Sequence, residues 1–72
     1  MKNDILIGEF ARKFRVEKLN ISQQEMASRI GVTRQTINNF ELGRFHSYKA
    51  FDGYMRLGMP YPDFNSSYTK GV

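Results

Sequence analysis

The sequence predicts an all-α fold of four to five short helices, and three observations carry that prediction. Apolar residues recur at spacings of three and four, side chains that cap helix starts stand ahead of those stretches, and glycines stand where they end. At 72 residues the chain has room for one small domain, which buries only about 60% of the surface its unfolded form exposes. Helices joined by short connections are the economical way to build such a core.

Asn3 and Asp4 precede a stretch in which Ile7, Phe10, Ala11 and Phe14 fall at i, i+3, i+4 and i+7, one face of a helix. This predicts a first helix over residues 4–18, broken by Leu19, Asn20 and Ile21. Ser22 with Glu25 three positions later is a capping box, in which each side chain would satisfy a backbone N–H left unpaired at a helix start. Ile21 before the cap and Met26 at the fourth helical position have the spacing of a hydrophobic staple, so a second helix is expected over residues 23–30. Gly31 is its stop, because a left-handed backbone costs glycine little.

Thr33 can cap a third helix, and Val32 with Ile37 repeats the staple spacing. Two helices thus meet across a three-residue turn, a helix-turn-helix, with the second ending near Leu42 before Gly43. Ser47 caps a fourth segment in which Ala50, Phe51, Tyr54 and Leu57 face one way and Gly58 closes it. Gly53 inside that helix costs about 1 kcal/mol relative to Ala. Pro62 can start a further helical turn, and residues 65–72 read as a flexible tail after a domain over residues 1–64.

The chain carries 11 Lys and Arg against 7 Asp and Glu, a formal charge of +4, and a pI near 9.7. Such a balance suits a polyanionic partner, although many small basic proteins bind none. The first 44 residues hold eight of the basic and five of the acidic residues, so the excess lies in the first two-thirds. Without cysteine there is neither a disulfide nor a thiolate metal site, and nothing argues for an oxidising compartment. The longest apolar run, residues 5–7, falls far short of the roughly 18 residues that span a bilayer, and no signal-peptide pattern opens the chain. The expectation is therefore a protein without membrane, metal or cofactor.

His46 is the only histidine and cannot by itself build a metal site, so a loop or capping duty is expected of it. The acidic residues are scattered along helices, and no Ser, His and acid set flags a triad, so no enzyme is expected. Met26, Met55 and Met59 sit at apolar positions and read as core filling. Phe45, Tyr48, Phe51, Tyr54, Tyr61, Phe64 and Tyr68 crowd the last third. A small core cannot bury all seven, and the exposed ones are either a protein interface or scattered surface aromatics.

Counted from Gln23, a small residue falls fifth (Ala27), glycine ninth (Gly31), and core residues fifteenth and eighteenth (Ile37 and Phe40). Two helices crossing steeply over a tight turn need a small side chain where the backbones approach, a left-handed residue in the bend and apolar anchors on the second helix. At 100° per residue Ile37 and Phe40 point inward, whereas Arg34, Gln35, Asn38 and Asn39 cluster on the opposite side, a face without an acid or a large hydrophobe. Arg can donate two hydrogen bonds to guanine, and Gln or Asn can pair with adenine; Thr33 and Thr36 add methyl or hydroxyl contacts. An ordinary solvated face has a similar composition, and the turn geometry beneath it favours base contact.

The run Q-Q-E-M-A-S-R-I-G-V-T-R-Q-T-I-N-N-F-E-L-G-R from Gln23 to Arg44 resembles the helix-turn-helix of the phage repressor and Cro class, the XRE or lambda-repressor-like family. Ile7-Gly8-Glu9, Phe14-Arg15 and Leu57-Gly58-Met59 are similar to flanking family motifs, so the resemblance covers roughly residues 5–64. It implies that Gln23 contacts a phosphate, that Arg34, Gln35 and Asn39 face bases, and that Arg44 lies near the backbone. It also implies a buried pair of Arg15 with Glu41. Between Arg15 and Gln23, however, there is one residue more than the commonest family spacing, which leaves that pair open. The loop also lacks the usual proline.

The function implied is a sequence-specific DNA-binding transcriptional regulator in a bacterial cytoplasm, encoded by a phage or mobile element. It would act as a homodimer on a palindromic double-stranded operator read by residues 33–41. With nothing after Phe64 to sense a signal, it is expected to resemble Cro more than the two-domain repressors. The alternative is a helix-turn-helix protein that works by binding a second regulatory protein through its C-terminal aromatic residues, as a modulator of repression or an antitoxin does.

Overall fold

A computed structural model describes the backbone of residues 2–44 and 46–61. The described residues form four α-helices, α1 (Lys2–Lys13), α2 (Gln23–Ile30), α3 (Arg34–Leu42) and α4 (Tyr48–Arg56), with a π-helical segment, Phe14–Leu19, continuing α1. The helical turn expected at Pro62 and the expected tail over residues 65–72 lie outside the described residues, as do Phe45, Phe64 and Tyr68.

Three capping side chains make the bonds their sequence positions require. Ser22 Oγ accepts from the N–H of Glu25 at 3.0 Å, Thr33 Oγ1 from that of Thr36 at 3.1 Å, and Ser47 Oγ from that of Ala50 at 3.2 Å. The capping box at Ser22 is nevertheless only half made. Glu25 does not reach back to the cap; its carboxylate accepts from Arg29 Nε at 3.0 Å, one turn along α2, an exposed pair worth a fraction of a kcal/mol. At the other end of α2, Gly31 stands at φ +88°, and the N–H groups of Gly31 and Val32 both bond the Ala27 carbonyl at 2.8 and 3.0 Å. That closure fixes the turn into α3.

The first helix departs from the expected uniform α-helix over residues 4–18. It begins at Lys2, is α-helical to Lys13, widens into π turns and stops at Asn20, whose backbone is left-handed at φ 54°. A π turn holds one residue more than an α turn, so the segment reaches Asn20 with more residues per turn than α1. The N–H of Asn20 bonds the Arg15 carbonyl, an i→i−5 closure that puts Phe14 and Leu19 on one side. Phe14 is buried and Leu19 packs against the core beside it.

The core consists of Ala11, Phe14, Met26, Ala27, Ile37, Phe40, Ala50, Tyr54 and Met59. Met26, Ile37, Phe40 and Tyr54 are its largest fully buried side chains, each apolar one contributing roughly 1.5–3 kcal/mol. Of the methionines expected in the core, Met55 is only partly buried and packs on its edge. The helices approach closely where side chains are missing. A Cβ on Gly8 of α1 would stand 2.5 Å from the Glu41 carbonyl oxygen and 2.6 Å from that of Phe40, so α1 lies directly on the last turns of α3. Gly53 is buried and equally tight: a Cβ there would meet the Ile30 side chain at 2.6 Å, so its cost in helix propensity is offset by the approach of α4 to α2.

Candidate nucleic-acid interface

The site is built on a buried ion pair. Arg15 Nε donates to Glu41 Oε2 at 2.7 Å and Nη2 donates to Oε1 at 3.0 Å, a two-pronged contact that closes the pair left open by the sequence. Arg15 Nη1 also donates to the Ile21 carbonyl at 2.8 Å, tying the end of the π segment to the same guanidinium. From α4, the buried Tyr54 hydroxyl donates to Glu41 Oε2. Burial pushes the Glu41 carboxyl up, but hydrogen bonds from Arg15, Tyr54 and Gln23 outweigh it and hold the group below its ordinary value. Burial, and then the bond to Glu41, push the Tyr54 phenol up. The hydrogen bond to Glu41 raises Arg15. One carboxylate therefore joins the π segment, α3 and α4.

Gln23, the first residue of α2, extends this cluster to the surface. Its Nε2 donates to Glu41 Oε1 at 3.1 Å and to Asn38 Oδ1 at 3.3 Å, and its Oε1 faces Arg34 Nη1 at 3.5 Å. Both amide hydrogens of Gln23 are thus engaged within the protein. The phosphate contact that the resemblance implies at this residue is open to its backbone N–H, in the unpaired first turn of α2, and not to its side-chain amide as it stands.

Thr33, which caps α3, and Arg34 and Gln35 in its first turn are exposed, and Thr36, Asn38 and Asn39 are half-buried. The hydroxyls of Thr33 and Thr36 lie 3.0 Å apart. Arg44 is exposed beyond Gly43, whose backbone is left-handed at φ +74°. Thr33, Arg34 and Gln35 therefore stand together at the start of α3, Asn38 adjoins them through Gln23, and Arg44 lies past the opposite end.

Two features narrow the face expected from helical spacing. Asn39 does not stand clear of the protein: its Oδ1 is enclosed with no hydrogen-bond partner. Leu42 falls in line with Gln35, seven residues earlier, and is 50% exposed, so the outer side of α3 does include a large hydrophobe. Spacing alone did not reveal the Gln23 and Tyr54 contacts. A signal for Tyr54 existed, since a tyrosine at an inward position needs a partner for its hydroxyl.

The remaining sequence candidates are placed as follows. The His46 ring contacts Tyr48 edge-on with ring centres 4.6 Å apart, and it lies 5.9 Å from Phe51 and 6.5 Å from Phe40. Tyr48 and Tyr61 are 80% and 71% exposed. Among the described residues no group of three or more His, Asp or Glu is placed to hold a metal ion, and no helix is long and apolar enough to cross a membrane.

Two helices joined by a glycine turn, with exposed polar residues at the start of the second, have the form of a helix-turn-helix. Comparison with known families agrees: residues 12–46 match the family model described as Helix-turn-helix. Over this segment, just under half of the chain, the protein is similar to the helix-turn-helix proteins of the lambda-repressor-like, or XRE, type. No curated protein and no solved structure matched the chain.

Proposed function

We propose that this is a sequence-specific transcriptional regulator of the Cro and repressor type that reads an operator with the start of α3. The observation that carries this reading is the arrangement of Thr33, Arg34 and Gln35, exposed together on a helix whose base is held by the buried Arg15, Glu41 and Tyr54 cluster. Donors held on a rigid element suit direct readout, because each base contact depends on position as well as chemistry. In this reading Arg34, Gln35 and Asn38 meet base edges, Thr33 and Thr36 meet sugar, phosphate or methyl groups, and Asn39 reaches a base through its amide nitrogen. Arg44 and the backbone N–H of Gln23 meet phosphate. Two copies on a palindrome would place two such helices in successive major grooves. A phage or mobile element is the source this reading favours, and its working compartment is the bacterial cytoplasm.

Salt dependence is the test. For about four phosphate contacts per subunit, log affinity should fall against log salt with a slope near −3.6 per subunit. A gel shift against the DNA flanking the protein's own gene, run over a salt series, measures it. No binding at low salt would sink the reading.

A second reading is favoured by one specific observation, the exposed Tyr48 and Tyr61 beside His46 and Phe51. Aromatic side chains are enriched at protein interfaces. A co-encoded regulator that binds tightly through these residues while DNA is left unbound would establish the modulator or antitoxin alternative.

A further inference from the structure

The amide network around Gln23 bears on which base the start of α3 selects, an inference that rests on the DNA reading proposed above. A carboxylate only accepts hydrogen bonds. Glu41 Oε1, buried and 3.1 Å from the Gln23 amide, therefore requires the nitrogen end of that amide to face it. The second hydrogen on the same nitrogen is directed at Asn38, at 3.3 Å, and can be received only by the Asn38 oxygen. The Gln23 oxygen is left to face the Arg34 guanidinium, which has only donors. Every amide in the chain from Glu41 to Arg34 and Asn38 has one orientation that satisfies its neighbours.

We infer that Gln23, oriented by Glu41, is a positioning residue that makes Asn38 a hydrogen-bond donor toward DNA. With its oxygen drawn toward Gln23, Asn38 offers its NH2 group outward. A free asparagine can pair with adenine by donating to N7 and accepting from N6. Held as it is here, Asn38 matches an edge made of acceptors. Guanine presents two, N7 and O6, whereas cytosine presents only its N4 amino group in the major groove. The base pair opposite Asn38 is thus expected to be read as guanine against cytosine, although the residue that determines this touches no base.

The test is selection of bound duplexes from a randomised library by the full chain and its variants, with circular dichroism to establish that each is folded. Asn38→Ala locates the position: it should flatten the preference at one base pair per half-site. There the wild type should favour guanine over cytosine by about tenfold. Gln23→Ala frees the Asn38 amide to rotate and should reduce that ratio to about twofold or less.

Ile30→Ala, which thins the packing of α2 on α4 away from the Gln23 amide, is the control for mere loosening and should leave the preference as it is. Selection of no motif by the wild type would overturn the DNA reading and this inference together. A motif that Asn38→Ala leaves unaltered, or a preference that survives Gln23→Ala in full, would overturn this inference alone.

Discussion

Arg15 and Glu41 stand 26 residues apart in the chain and meet through two parallel hydrogen bonds, 2.7 and 3.0 Å long, with both side chains buried. A buried charge that loses its partner is costly, whereas two buried charges replaced together by apolar groups often cost little. Glu41→Leu should therefore lower the unfolding free energy by about 3–5 kcal/mol, out of a total on the order of 4–11 kcal/mol for a chain of this length. Arg15→Met added to Glu41→Leu should restore part of the loss, the Gln23 amide and the Tyr54 hydroxyl remaining unpaired. Urea denaturation of both variants measures the difference, and equal stabilities would remove the coupling.

The same cluster sets two edges on stability against pH. Glu41 is held below its ordinary value of 4.5 in the folded chain. Below that value the unfolded chain takes up a proton that the folded chain refuses, so the contribution of Glu41 is full above it and lost as pH falls toward the depressed value. Tyr54 is shifted the other way, above its ordinary 10.0. Its contribution is full below pH 10 and declines as pH rises further, because only the unfolded phenol ionises readily. Melting temperatures from pH 3 to 11 should fall at both ends. Tyr54→Phe should flatten the alkaline fall, and an unchanged alkaline limb would show that Tyr54 does not govern it.

Arg34 is exposed at the start of α3, where its guanidinium approaches the Gln23 side-chain oxygen at 3.5 Å. Arg34→Ala should cost about 1–3 kcal/mol of specific operator binding with the melting temperature unchanged. Full operator affinity with an intact circular-dichroism spectrum would take Arg34 off the reading face.

Ala27 is 1% exposed in the core between α2 and the rest of the domain. Ala27→Leu should overpack it and cost about 1–3 kcal/mol. Gly8→Ala should also destabilise despite the better helix propensity of Ala, because the new methyl meets backbone carbonyls that cannot rotate away. Calorimetric melting at or above the wild-type temperature for either variant would contradict the packing described.

Much of this architecture was legible in the sequence because its signals are local. The bounds of α2 followed from Ser22 on one side and Gly31 on the other, and the start of α3 from Thr33, since capping bonds span three residues. What was not legible depends on side chains that meet from distant positions. Gln23 reaches Asn38 and Glu41 across 15 and 18 residues, and no periodicity encodes that. The enclosure of the Asn39 oxygen is of the same kind. The widening after Lys13 was hidden for another reason: Phe14 and Arg15 have to point inward whichever helical pitch follows them, so the inward pattern does not report the pitch.

The widened end of the first helix also makes chain length negotiable at one place. Arg15 grips Glu41 on one side and the Ile21 carbonyl on the other, so the path between these anchors can gain a residue as extra girth while the anchors stay in register. A frame shift of 100° that would have rotated everything downstream is absorbed within a single coil. The helices that follow, α2 and α3, are in this way insulated from insertions upstream of them.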